Sequence, residues 1–230
     1  MDLKNLEEKI GLEFKNKDLL KTAFIHRSYL NEHPKEKLPH NERLEFLGDS
    51  VLGFIISDYL FKQFPKDPEG DLTNYRSSIV NARILSKVSK ELGLGDYLFL
   101  SKGEESTGGR ERQYILANTY ESFLGAIYLD SGVMASEKFI RDTLIGHLHD
   151  IIRNKLYKDY KSQLQENSQS KFNVTPNYKV LSEKGPDHTK IFETGVYLDK
   201  KLLAKGSGKS KQSSEQEAAK SALEKIENIK

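Results

Sequence analysis

The chain contains no cysteine. That excludes disulfides, thiolate nucleophiles and zinc held by sulfur, and leaves oxygen ligands and six histidines to hold any metal, which would then be a hard ion. No apolar run approaches the roughly 20 residues that a membrane span requires. The amino terminus, MDLKNLEEKIGLEF, lacks the basic segment followed by an apolar one that marks a secretory signal, so a cytoplasmic protein is expected. There is neither an internal repeat nor a low-complexity tract. Net charge is small, +2 from 36 basic and 34 acidic residues.

With 230 residues the chain can form one large domain or two small ones. Hydrophobic content of 37% beside 30% charged residues, with a mean hydropathy of -0.63, reads as soluble and globular. Eleven Phe and eleven Tyr are too many for a chain disordered throughout. The small net charge also hides a division. Residues 158–230 carry 14 Lys against 10 acidic residues, whereas residues 1–157 carry 22 basic against 24 acidic. A basic module joined to a mildly acidic body suggests a polyanion grip attached to something that holds cations of its own.

Through about residue 155 the apolar spacing is three and four, as in LLKTAFIHRSYL, LEFLGDSVLGFIISDYLFKQF, SSIVNARILSKVSKEL, YILANTYESFLGAIYL and SEKFIRDTLIGHLHDIIRN. These predict an all-α domain, with NEHPKEKLPHN, PKDPEGD and SKGEESTGGRER as its loops. From about Asp159 the pattern changes to a short helix (YKSQLQENSQ), three strand-like segments (PNYKVLSEKG, KIFETGVYLD, KKLLAKGSGKS) and a helix from about Ser213 to Ile229. The expected order is α-β-β-β-α, a small α+β domain over residues 158–230 after an all-α domain over residues 1–155.

The densest feature is NERLEFLGDSVLGFII. On a helix Glu42, Glu45 and Asp49 stand at i, i+3 and i+7 on one face, with Leu44, Leu47, Val51 and Leu52 on the core side. Stacked like charges are unfavourable, so they are either solvated or joined by a cation. A second helix, YILANTYESFLGAIYLD, carries Asn118 and Glu121 at i, i+3 among apolar residues. If the two faces meet, four or five oxygens converge, a donor set suited to Mg²⁺ that keeps several waters and to phosphodiester hydrolysis. A di-iron site lacks its Glu-x-x-His pairs. His26, on an apolar helical stretch, reads as a packing residue. His147 and His149, two apart, face different ways on a helix. The glycines from Gly103 to Arg110 follow no strand, so they form no dinucleotide fingerprint.

NERLEFLGDSVL closely resembles the defining motif of ribonuclease III. HRSY at His26–Tyr29, EGDLT at Glu69–Thr73, KGEESTGGR and LANTYESFLGAIYLD follow in that family's order. The tail is similar to a double-stranded-RNA-binding domain, with SQLQE, PNY, GPDH, GSGKSK and EQEAAKSAL in sequence. The resemblance spans nearly the whole chain. It implies an Mg²⁺-dependent endoribonuclease, with Mn²⁺ able to substitute, that processes double-stranded RNA, ribosomal RNA included, to 5′-phosphate and 3′-hydroxyl ends. Glu45, Asp49, Asn118 and Glu121 would surround the metal, Glu45 and Glu121 as direct ligands, with catalysis resting on Asp49, Glu121 and Glu45. Glu42 and Glu69 would be auxiliary. The nuclease domain would be a homodimer, Phe46 corresponding to an aromatic that inserts into the partner subunit; as plain sequence it reads equally as a core Phe.

On the tail the same resemblance assigns RNA contacts to Ser162, Gln165 and Glu166 on the first helix. It adds Pro186, Asp187 and His188 in the loop, and Lys209, Ser210 and Lys211 before the last helix. Lysines beside a helix amino terminus also suit an anion physically, through charge and free N–H groups. Two positions depart from the family pattern. Gln212 stands where a second lysine is common, and Asn118 where the family usually has Asp. Asn keeps an oxygen but loses a charge that helps hold a divalent ion. Two readings therefore stand: an active double-strand-specific nuclease, or a double-stranded-RNA-binding protein whose nuclease site is weakened or silent because of Asn118. A carboxylate-bridged metal oxidoreductase is a remote third.

Overall fold

A computed structural model describes residues 3–154, 157, 159–186 and 189–227. The chain divides into two compact units, residues 1–157 and 158–230. In the first the helices are α1 (Leu3–Ile10), α2 (Lys17–Thr22), α3 (Arg27–Glu32), α4 (Glu42–Gln63), α5 (Glu69–Ile79), α6 (Ala82–Leu92), α7 (Lys102–Ser106), α8 (Gln113–Thr143) and α9 (Ile145–Arg153). The second runs α10 (Tyr160–Phe172), β1 (Asn177–Lys184), β2 (Ile191–Leu198), β3 (Lys201–Gly208) and α11 (Lys211–Glu227). No helix among the described residues is long and apolar enough to cross a membrane.

The centre of the first unit is α8. Its first half is buried almost all round, through Ile115, Leu116, Tyr120, Phe123, Leu124 and Ile127. A helix apolar on most of its circumference must be largely enclosed, and α4 and α6 pack against it. Each fully buried Leu, Ile or Phe on these faces contributes about 1.5–3 kcal/mol. The second half of α8 turns away at Gly132, where φ 80 and ψ −174 lie in a region that side chains exclude. Helix α4 is apolar on two faces. Leu44, Val51, Leu52, Ile55, Ile56 and Leu60 enter the core, while Phe46, Phe54 and Phe61 are exposed.

Several expectations change. The stretch LLKTAFIHRSYL is not one helix: α2 ends at Thr22, and His26 is the extended N-cap of α3, its ring accepting the Ser28 N–H at 3.3 Å. Phe24 and His26, on either side of Ile25, instead bond to Phe99: the Phe99 N–H donates to the Phe24 carbonyl at 2.9 Å and the His26 N–H to the Phe99 carbonyl at 3.1 Å. The loop readings of PKDPEGD and SKGEESTGGRER also shift, since Glu69 opens α5 and α7 lies inside the second. Within that second segment Arg110 ties down three carbonyls, those of Gly95, Asp96 and Leu98.

In the second unit the antiparallel sheet has order β1-β2-β3 and packs against α11 and α10. Its core is small: Leu164, Val196, Ala204, Ala218, Ala219, Ala222, Leu223 and Ile226. The GSG stretch explains the alanines. A Cβ on Gly206 would stand 2.1 Å from the Ala218 nitrogen, so strand and helix approach backbone to backbone. Helix α11 begins at Lys211 rather than Ser213, because Ser210 and Ser213 cap each other's N–H groups, Ser213 N–H to Ser210 Oγ at 3.1 Å and Ser210 N–H to Ser213 Oγ at 3.0 Å. Ile229 lies outside the described residues.

Candidate active site

Helices α4 and α8 cross at two glycines. A Cβ on Gly48 would lie 1.8 Å from the Glu121 carbonyl oxygen, and one on Gly125 would lie 2.3 Å from that of Leu44. Only residues without a side chain permit this approach. It sets Glu45 and Asp49 of α4 against Asn118 and Glu121 of α8, so the two polar faces do meet.

The electrostatics record the meeting. Burial, reinforced by the Asp49 and Glu45 charges, pushes the Glu121 carboxyl up to about 7. Burial likewise raises Glu45, helped by Glu42 and Asp49 and opposed by a hydrogen bond from the Asn118 amide. None of the ion pairs among the described residues involves Glu45, Asp49 or Glu121; Arg27 and His40 go instead to Glu42, at 3.4 and 3.7 Å. The cluster is thus a pocket of negative charge without a paired protein cation among the described residues. Glu42 is an exposed rim residue, and Glu69 opens the separate helix α5, accepting the Thr73 hydroxyl at 2.9 Å.

The donor set fits a hard divalent ion in part. Among the described residues no three acidic or histidine side chains are gathered closely enough to hold one ion alone. Two half-buried carboxylates, an amide oxygen and an exposed carboxylate suit an ion that keeps waters, as Mg²⁺ does, better than one needing a full protein cage.

Phe46 is 78% exposed, which removes the reading of it as a core residue. On the second unit Gln165, Glu166, Pro186 and Lys209 are exposed. The Ser162 hydroxyl donates to Asp159 at 2.9 Å at the start of α10. Ser210 is committed to the α11 cap, and Lys211 belongs to the helix itself, 3.7 Å from Glu183. Asp187 and His188 lie outside the described residues. Sequence reasoning overlooked Gly48, Gly125, Asn41 and Ser122. The one available signal was the pair of glycines interrupting two otherwise bulky apolar helices.

Residues 16–148 match the family described as Ribonuclease-III-like. The chain belongs to the ribonuclease III family. It is 49% identical over 220 residues to Ribonuclease 3 of Streptococcus gordonii, covering 96% of this chain and 94% of that protein. With Ribonuclease 3 of Borreliella afzelii it shares 46% over 222 residues, 96% of this chain and 90% of that one. The nuclease domain of ribonuclease III from Campylobacter jejuni aligns at 39% identity with a TM-score of 0.57, over 62% of this chain and 95% of that one; its structure shows flexibility in a region involved in dimer formation. Residues 160–226 match the double-stranded RNA binding motif. The all-α unit and the small α+β unit are the architecture expected of a ribonuclease III, and membership carries dependence on a divalent metal.

Proposed function

We propose that this ribonuclease III cleaves double-stranded RNA by Mg²⁺-dependent hydrolysis, with Mn²⁺ able to substitute, leaving 5′-phosphate and 3′-hydroxyl ends in cytoplasmic RNA processing. Residues 1–155 act as the nuclease domain and residues 158–230 as the RNA-binding domain. The observation that carries the reading is the cluster of half-buried Glu45, Asn118 and Glu121 with exposed Asp49, negative and unpaired with any Lys or Arg among the described residues.

Glu45 and Glu121 would hold the ion directly, with the Asn118 oxygen and Asp49 beside them. A bound divalent ion supplies charge neutralisation at the scissile phosphate and acidifies water. Glu121 contributes a carboxylate that burial and its acidic neighbours raise to about 7, so a cation bound there competes with a proton near neutral pH and its charge offsets that repulsion. Asn118 keeps the amide that screens Glu45, which lowers the repulsion among the acids but also the total charge offered to a cation. The basic tail grips the duplex by phosphate contacts and shape, independently of the acids.

The partner in assembly is a second copy of the chain. Phe46, Phe54 and Phe61 are exposed on one helix, and Phe46 borders a groove of about 810 Å³ whose walls include Leu19, Thr22, Pro39, Leu44, Leu47 and Leu129. A protruding aromatic next to an apolar-walled groove is the self-complementary surface that a two-fold contact needs.

The test is cleavage of a long RNA duplex in Mg²⁺ and again in Mn²⁺. The chain should cut in both, and Glu121→Gln should lower the rate roughly 100-fold or more while duplex binding changes less than about threefold. No cleavage in either metal would leave a silent, RNA-binding protein. Normal cleavage by Glu121→Gln would remove the cluster from the mechanism.

A further inference from the structure

Three asparagines stand at helix N-caps in the first unit, and one behaves differently. Asn16 and Asn81 use their side-chain oxygens in the ordinary way, accepting the N–H groups of Leu19 and Ile84 at 3.0 and 3.1 Å. Asn41, the cap of α4, makes no side-chain cap bond. It is only 4% exposed, and its amide turns inward to donate to the Ala23 carbonyl at 3.2 Å and to the Ser122 hydroxyl at 3.4 Å. Ser122, fully buried, donates to the same Ala23 carbonyl at 2.7 Å. The Asn41 N–H is held by the Ile25 carbonyl at 2.9 Å.

These residues flank the acid cluster. Asn41 immediately precedes Glu42 and lies one helical turn before Glu45; Ser122 immediately follows Glu121. The α4 and α8 backbones are therefore pinned to one carbonyl beside the carboxylates, and to each other at Gly48 and Gly125. A helix that gives up its cap to make a buried cross-link gains nothing at its own terminus. What the cross-link does fix is the separation of the acids on α4 from those on α8.

We propose that Asn41 and Ser122 are positioning residues for metal binding, setting through the Ala23 carbonyl the distance between Glu45 and Glu121. The inference rests on the reading of the acid cluster as the metal site. Two carboxylates on different helices bind one ion well only if the helices are held at the spacing the ion requires, and residues that orient ligands typically affect affinity by 10-fold or more.

The experiment titrates Mn²⁺ alone into the full chain without RNA, following the free-ion electron paramagnetic resonance signal, alongside melting curves in EDTA. Asn41→Ser and Ser122→Ala should each weaken Mn²⁺ binding about tenfold. The double variant should lose less than the product of the two, because both act on one carbonyl. Asn81→Ser, at a cap bonded to a different helix, should leave Mn²⁺ binding unchanged. If the Asn41 and Ser122 variants melt lower yet, while folded, bind Mn²⁺ within twofold of the parent, the cross-link is structural only and the proposal fails. Should Ser122→Ala not fold, Asn41→Ser decides, since serine can still cap α4. A parent that binds no Mn²⁺, or Glu121→Gln that binds it equally well, would instead overturn the metal-site reading.

Discussion

The first unit sets its acid cluster between two helices that touch at Gly48 and Gly125, with Glu45 and Glu121 half-buried, whereas the second keeps the residues proposed for RNA contact on exposed positions of α10 and the start of α11. Both use glycine for close approach. In the first the approach brings acids together; in the second Gly206 and Gly208 seat α11 on β3. The difference follows from the tasks. Bond cleavage needs groups held to a fraction of an ångström, and burial raises the strength of each electrostatic interaction. Gripping a duplex by shape and phosphate charge tolerates mobile lysines, whose strength comes from number and from counterion release.

The largest effect that would sharpen this contrast is at the exposed aromatic face. Phe46→Asp should raise the dimer dissociation constant about 100-fold, as expected for removing a central aromatic anchor. Sedimentation of the full chain reads this directly, and an unchanged dimer would show that the interface lies elsewhere.

Next, Lys209→Ala with Lys211→Ala should weaken duplex RNA binding about tenfold and flatten its salt dependence by one to two in log–log slope. Most of that should come from Lys209, because Lys211 is already drawn toward Glu183. Filter binding across a salt series is the measurement, and an unaltered slope would move the phosphate contacts off this helix start.

A smaller effect is expected at Asn118. Asn118→Asp restores a charge beside Glu45 and Glu121 and removes the amide that screens Glu45, so cleavage at low Mg²⁺ should rise about three- to tenfold. The gain should vanish when metal saturates. Equal rates across all Mg²⁺ concentrations would mean that Asn118 does not face the ion.

The smallest is a pH effect on the metal-free fold. Glu121 has its folded-state pKa raised to about 7, so below the unfolded value of 4.5 it is neutral in both states and has no pH-dependent effect. As pH climbs from there to about 7, the unfolded chain ionises first and stability is lost, levelling off above the folded value. In EDTA, Glu121→Gln should therefore gain on the parent between pH 5 and pH 7.5, by about 2–6 °C in Tm. A constant difference across that range would show that the carboxyl is not held in a desolvated, negative surrounding.

Much of this was legible in the residues themselves. The helical period alone puts Glu42, Glu45 and Asp49 on one face, and alternation with turn residues marks the three strands, because both follow from backbone geometry that local sequence controls. Motif order was enough to suggest the family. Other features were not local. The break before His26 comes from backbone bonds to Phe99, some 70 residues away, which no periodicity registers. The early start of α11 depends on two serines bonding each other rather than on apolar spacing.

Period tells which residues share a face; it does not tell what the face meets. Sequence by itself determined that acids line one side of α4, that a second polar pair sits in an apolar helix, and that the tail is basic. Only the tertiary structure decided that the two acid-bearing helices touch through glycine, that Phe46 points outward, and that Asn41 abandons its cap for Ala23 and Ser122. These are contacts between distant segments, chosen by packing and by the need to satisfy buried polar groups, and such choices exist only once the whole core has closed.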